Sequence, residues 1–294
     1  MSKRSRDRQL AKLAARRQAE RDAAMRRRNL IVGIVVGVLA VVIVIAGLGV
    51  LLGDDTDAAS PSSTPSASPS ASPSPSAEPG TKTGTVTPTA ATDSGEVACG
   101  AEAPVKAGKA KPQFAGPPPM TVSRKATYTA TMVTSCGTIV IELDAKRAPQ
   151  TVNSFVFLAK EGYFDGQYFH RLDTSIDVIQ GGDPSGTGQD GPGYAIPDEL
   201  TGKESYSPGT LAMANAGANT GGSQFFIITG PDGANLDGNP AFTIFGKIVE
   251  GLRVAQEIQS LPILDPNATD LSGQRPKVAV YIEKVTITKT GGGQ

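Results

Sequence analysis

Residues 211–229 read LAMANAGANTGGSQFFIIT, and the reading of this stretch decides the fold. It opens as a short apolar run, breaks into Asn215-Ala216-Gly217-Ala218-Asn219-Thr220-Gly221-Gly222-Ser223, and closes on the β-prone run at 225–228. That is the pattern of a strand, an irregular loop and a second, buried strand. The loop is too rich in glycine to hold its own shape, so the fold must shape it, and its amides are open to a ligand. Gln224 and Phe226 lie two apart in a strand and therefore share one face. A face carrying one amide and one aromatic ring suits a peptide better than a metal or a phosphate.

Working outward, residues 126–134 alternate as a strand with Tyr128, Ala130, Met132 and Thr134 on one face. Ser135-Cys136-Gly137 makes a turn, and 138–143 returns as a second strand. Residues 148–160 carry Val152, Phe155, Val156 and Ala159 at three- and four-residue steps, which predicts a helix with Pro149 in its first turn and Gly162 just past its end. Short strands are expected at 167–172, 178–181, 241–249 and 278–288, with a second short helix at 252–259. On strand 167–172, Phe169 and Arg171 should share a face opposite His170. Many short strands with two isolated helices, and no repeating strand–helix order, argue for a mainly β fold: a closed antiparallel barrel with helical caps rather than a doubly wound sheet.

The formal charge of the 294 residues is zero, but residues 1–28 hold 11 Lys and Arg against Asp7, Glu20 and Asp22, a net of +8 balanced by −8 in the rest. Residues 30–52 follow as 23 consecutive positions without a charge. At about 1.5 Å per residue such a helix spans the roughly 30 Å hydrocarbon layer. A signal-peptide core would be about half that length. An uncleaved transmembrane helix is therefore expected at 30–52, with the basic residues 1–29 cytoplasmic and the rest of the chain extracytoplasmic. The same location makes a membrane role for the basic cluster better founded than nucleic-acid binding. Residues 53–113, rich in Ser, Pro, Thr and Ala, read as a disordered linker with a mean span of about 40 Å. The folded domain is then expected over 114–294, with order beginning near Phe114.

Several motifs carry no chemistry. Gly186-Thr187-Gly188-Gln189-Asp190-Gly191 satisfies GxGxxG, but Pro192-Gly193 follow where a dinucleotide site needs a helix. Asp183, Ser185, Thr187 and Gly188 open like a calcium loop, but Tyr194 stands where a bidentate Glu is required. A Ser–His–Asp triad would have to use His170, and no GxSxG elbow accompanies it. One histidine and two cysteines leave too few soft ligands for a metal site of that kind. Cys99 and Cys136 fall on the expected oxidising side of the membrane, either bonded, tying the linker to the first hairpin, or free.

Phe169-His170-Arg171, Gln180-Gly181-Gly182-Asp183, Met213-Ala214-Asn215-Ala216-Gly217, Asn219-Thr220, Gly222-Ser223-Gln224-Phe225-Phe226-Ile227, Leu236-Asp237-Gly238 and Phe245-Gly246 stand in that order. Over 128–288 this resembles the cyclophilin family of peptidyl-prolyl cis–trans isomerases. The resemblance implies an eight-stranded antiparallel barrel closed by two helices, with the active groove on its outer face. It puts the catalytic arginine at Arg171 and the peptide-binding glutamine at Gln180. Ala214, Asn215 and Gln224 match positions that hold the substrate backbone. Phe226 and Leu236 match the walls of the proline pocket, with Val178 where the family usually has methionine and Phe242 in place of a histidine or tyrosine.

The chain departs from the pattern at three points. The segment between His170 and Gln180 is one residue longer, and the pocket aromatic expected just before Val178 meets Asp177, with Ile176 the only apolar candidate nearby. Asn235 replaces the tryptophan that many members place before Leu-Asp-Gly, so weak cyclosporin binding is expected. The resemblance implies proline-containing polypeptides as substrates and a reaction needing no cofactor or metal, since no bond breaks. The expected role is acceleration of X–Pro rotation in exported or cell-surface proteins. The alternative is a tethered chaperone that binds peptides with little catalysis. The sequence leaves the oligomeric state open.

Overall fold

The computed structural model describes residues 78–92 and 94–291. Eleven strands form two antiparallel sheets. The larger contains β3 (Ala126–Thr134), β4 (Gly137–Leu143), β5 (Gln167–Tyr168), β6 (Arg171–Asp173), β7 (Val178–Gly181), β8 (Thr210–Met213), β9 (Phe225–Ile228), β10 (Ile244–Glu250) and β11 (Tyr281–Gly291). Their order is β5-β11-β3-β4-β10-β8-β9-β7-β6. The two end strands are separated in sequence by Phe169 and His170 alone. The Phe169 amide donates to Val280 O on one side and the His170 amide to Gln180 O on the other, at 2.9 and 3.0 Å. The nine-stranded antiparallel sheet is thus strongly curled, with its two end strands joined through one bent segment. The bend breaks the expected alternation: Phe169 is fully buried in the inner core, whereas Arg171 sits outside against Gln180.

Period-2 alternation fills the interior from every wall. Ala126, Tyr128, Ala130, Met132 and Thr134 are buried along β3, and Ile139, Ile141 and Leu143 along β4. Helix α1 (Pro149–Lys160) starts at Pro149, whose fixed φ suits a first turn, and buries Val152, Phe155, Val156 and Ala159. Phe155 stacks on Phe164 with centroids 4.9 Å apart and meets Phe225 edge-on at 5.8 Å. Helix α2 (Leu252–Gln259) adds Ala255 and Ile258 to the same core.

Strands form well before Phe114, which corrects the 78–113 part of the expected linker of 53–113, while residues 53–77 lie outside the described residues. Strand β1 (Lys82–Val86) pairs antiparallel with β2 (Lys111–Phe114), and a 3₁₀ turn forms at Ala98–Gly100. Phe114 is buried against Phe157, with ring centroids 4.9 Å apart. Cys99 and Cys136 are joined by a disulfide, with Cα atoms 5.2 Å apart, so the 3₁₀ turn is bonded to the β3–β4 hairpin. The ammonium of Lys106 pairs with Asp165 at 2.8 Å, and buried Lys111 donates to the Asp165 carbonyl. Burial lowers the Lys111 pKa to about 8. The Ser/Pro/Thr composition hid this order because specific long-range bonds, rather than an apolar pattern, hold the segment down. The expected transmembrane helix at 30–52 and the basic residues 1–29 lie outside the described residues. Among the described residues no helix is long and apolar enough to cross a membrane.

Candidate active site

Strands β7, β8 and β9 send alternate residues to opposite faces. Ile179, Leu211, Phe225 and Ile227 enter the main core, while Val178, Gln180, Ala212, Phe226 and Ile228 face outward. The outward residues build a second apolar cluster: Val178, Phe226, Ile228 and Ile244 with Ile176, Ala214, Leu236 and Phe242 packed against it. Phe226 meets Phe242 edge-on at 5.2 Å. Buried Tyr206 fixes Phe242 by donating to its carbonyl at 2.8 Å and accepting its amide at 3.1 Å. Tyr206 was not singled out from the sequence, since a tyrosine in a loop carries no local signal of such a role.

This cluster floors a cavity of about 1100 Å3. Arg171, Gln180, Val178, Ala214, Asn215, Gln224, Phe226, Leu236 and Phe242 all line it. Arg171 leaves β6 opposite Gln180 of β7, and its guanidinium is held from three sides. Nε donates to Gln274 Oε1 at 2.7 Å, Nη1 to Gln180 Oε1 at 3.1 Å, and Nη2 to Asp173 Oδ2 at 2.5 Å. The polar chain continues from Gln180 Nε2 to Gln224 Oε1 at 3.0 Å and from Gln224 Nε2 to Asp190 O at 2.9 Å. A guanidinium has five N–H donors, so these three bonds leave two for a ligand.

The central loop provides backbone groups. Ala214 N donates to Gln224 O at 2.9 Å, continuing the β8–β9 ladder one residue further. The Asn215 amide group donates to Ala241 O at 2.8 Å and pins the loop. The main-chain N–H and C=O of Asn215 make no hydrogen bond among the described residues. An extended peptide can pair with them as an added strand. The loop opposite owes its shape to buried Asp183. Its Oδ1 accepts from the amide and hydroxyl of Ser185 at 2.7 and 2.9 Å, and its Oδ2 accepts from the Gly188 amide. Gly182 has φ +86°, and a Cβ there would lie 2.2 Å from Ser223 O, so only glycine lets the loop pass β9.

The structure corrects the place given to Asp177 by the sequence. Asp177 takes φ +50° and turns its carboxylate away from the cavity, where Oδ2 accepts the Asp232 amide at 2.8 Å. It thereby caps the 3₁₀ turn Pro231–Leu236 that carries Leu236 into the pocket. Ile176 lines the cavity instead. His170 also borders the cavity but is buried, with neither ring nitrogen bonded to a described residue. Burial lowers its pKa to about 4, which Asp183 opposes and the cations of Arg171 and Arg275 reinforce.

The family model described as cyclophilin type peptidyl-prolyl cis-trans isomerase/CLD matches residues 129–287. A peptidyl-prolyl cis-trans isomerase of Helicobacter pylori is 45% identical over 139 residues, covering 46% of this chain and 83% of that protein. Peptidyl-prolyl cis-trans isomerase A of Mycobacterium tuberculosis is 40% identical over 185 residues, covering 58% of this chain and 97% of that protein. A crystal structure of a Cryptosporidium parvum cyclophilin type peptidyl-prolyl cis-trans isomerase covers 56% of this chain and 99% of its own, at 28% identity and a TM-score of 0.49. The chain belongs to the cyclophilin-type peptidyl-prolyl cis-trans isomerase family, and its enzyme class is that of a peptidyl-prolyl cis-trans isomerase.

Proposed function

We propose that the chain accelerates X–Pro rotation in polypeptides on the outer side of a membrane, to which residues 30–52 anchor it. Rotation faces a barrier of roughly 18–20 kcal/mol because amide resonance must be lost, and unaided exchange takes tens to hundreds of seconds. In the twisted state the proline nitrogen becomes pyramidal and gains a lone pair that the planar ground state lacks. A fixed N–H donor aimed at that nitrogen binds the transition state alone, which is what lowers the barrier. A rate gain near 10⁵ needs about 7 kcal/mol of such differential stabilisation.

In this reading Arg171 is the donor. The apolar walls at Ile176, Val178, Phe226, Leu236 and Phe242 hold the proline ring, while Gln180, Asn215 and Gln224 hold the flanking backbone. The observation that carries the reading is the guanidinium held from three sides beside an apolar pocket, with two donors to spare. The rival, a peptide-binding chaperone with little catalysis, drew its support from an acid in the pocket wall, and Asp177 points elsewhere.

The location rests on the uncharged stretch 30–52, the basic residues before it and the Cys99–Cys136 bond, which suits an oxidising compartment. Turnover of an Ala-Pro peptide by the full chain in detergent, with and without Arg171→Ala, tests the chemistry. Loss of most turnover with an unchanged circular dichroism spectrum is expected; retained turnover removes Arg171 from its role. Protease added outside oriented vesicles should digest only residues C-terminal to 52. Protection of the isomerase domain would reverse the topology.

A further inference from the structure

Gln274 lies 103 residues from Arg171 in sequence, yet its side-chain oxygen accepts the Arg171 Nε–H at 2.7 Å. It is buried, and its backbone carbonyl accepts the Leu172 amide at 2.8 Å, which ties it to β6 itself. Its side-chain NH2 donates to the Ala268 carbonyl at 3.2 Å. That second bond decides which way the amide faces: with nitrogen on a carbonyl, oxygen must face the guanidinium. Asp173 supplies charge to Nη2, but a carboxylate alone leaves the guanidinium free to pivot. A third contact on Nε fixes its plane.

The segment bearing Gln274 is held in turn by the N-terminal extension. Arg275 Nη2 donates to the carbonyls of Ala90 and Ala91 at 3.1 and 3.2 Å. Ala279 N donates to Glu96 O at 2.7 Å, and Ala98 N donates to Ala279 O at 2.9 Å. Thr89 reaches the cavity rim, bonding Ser185 O and the hydroxyl of Tyr168 at 2.8 and 3.0 Å. Cys99 then fastens the strap to the hairpin that pairs with β11.

We infer that Gln274 is a positioning residue for isomerisation and that the strap segments 89–91 and 96–98 keep it in register, so the N-terminal extension is part of the catalytic apparatus. This rests on Arg171 being the catalytic donor. Gln274→Met keeps the volume and removes the acceptor. In the full chain in detergent it should lower kcat about tenfold with KM within about twofold, since a reoriented donor loses rate rather than substrate affinity. Arg275→Met, which releases the strap, should lower kcat by about threefold and by nothing further in the Gln274→Met background, as expected of two changes acting through one contact. In the Arg171→Ala background Gln274→Met should leave the residual turnover unchanged.

The inference is overturned if Gln274→Met keeps kcat within about twofold of the parent while Arg171→Ala abolishes it, or if Gln274→Met lowers residual turnover equally without Arg171. Retained turnover in Arg171→Ala alone instead sinks the assignment of the donor. Should Gln274→Met unfold, Gln274→Asn, which withdraws the oxygen by one methylene, is held to the same kcat criterion.

Discussion

Replacing Arg171 by lysine separates a positive charge from a fixed donor. The guanidinium uses three N–H groups on Gln274, Gln180 and Asp173, each from a different element. A lysine ammonium carries the same charge at one point, and it cannot satisfy three acceptors arranged around a planar fork. The carboxylate of Asp173 is the strongest of the three partners and should hold the ammonium, drawing it away from any groove ligand. The two glutamine oxygens then lose a partner, at about 1 kcal/mol each, reduced because water reaches an Arg171 side chain that is 23% exposed. The domain should therefore lose no more than about 2 kcal/mol of stability. Catalysis should suffer more: removing one preorganised donor lowers kcat by about 10²–10³-fold, or roughly 3–4 kcal/mol. Exchange spectroscopy on an Ala-Pro peptide measures cis–trans interconversion directly, and the expected result is a fall of about 100-fold in kcat with KM near the parent value. A lysine variant within about threefold of the parent would show that the local field of a cation suffices. Charge alone, and not the three-sided hold on a planar fork, would then account for the catalysis.

Removing the Asp177 carboxylate with Asp177→Ala takes away a turn cap and should lower stability by about 1 kcal/mol, or a melting temperature by roughly 2–4 °C, with KM for a proline peptide unchanged. A large rise in KM would put Asp177 back in the pocket wall. Cys136→Ser opens a loop of 37 residues and should cost at most about 4 kcal/mol on thermal unfolding, with earlier proteolysis of residues 78–113 than of the barrel. Equal proteolysis of the two regions would deny the disulfide its role as a staple. His170 is neutral in both states above pH 6.5, and between 6.5 and about 4 the unfolded chain binds a proton that the folded chain refuses. Stability should thus be complete above pH 6.5 and fall by roughly 3 kcal/mol as the pH drops to 4. In urea unfolding, His170→Asn should show a smaller loss over that window; an equal loss would mean that His170 titrates freely in the fold.

Much of the outer face was legible in the residues themselves because strand alternation is local. Gln224 and Phe226 share a face wherever β9 is placed, and Val178 and Gln180 share one on β7 for the same reason. The 3.6-residue spacing of Val152, Phe155, Val156 and Ala159 likewise marked α1 to within a residue of its observed start. Alternation failed at Phe169, His170 and Arg171, where two ladders pull one segment to opposite sides and force a bend that no single-strand pattern contains.

What only the tertiary structure decided is how the site is braced. Nothing in the vicinity of Gln274 announces that its amide oxygen meets a guanidinium 103 residues away, because an orientation set by Ala268 O exists only once that loop is folded. The same holds for Asp177, whose carboxylate could face either way until the Asp232 amide claims it. It holds too for residues 78–113, where a Ser/Pro/Thr-rich composition cannot reveal bonds to Asp165, Ala279 and Cys136. Periodicity records which side of an element a residue occupies; the partner found on that side depends on chain closure over long separations, and that is a property of the whole fold.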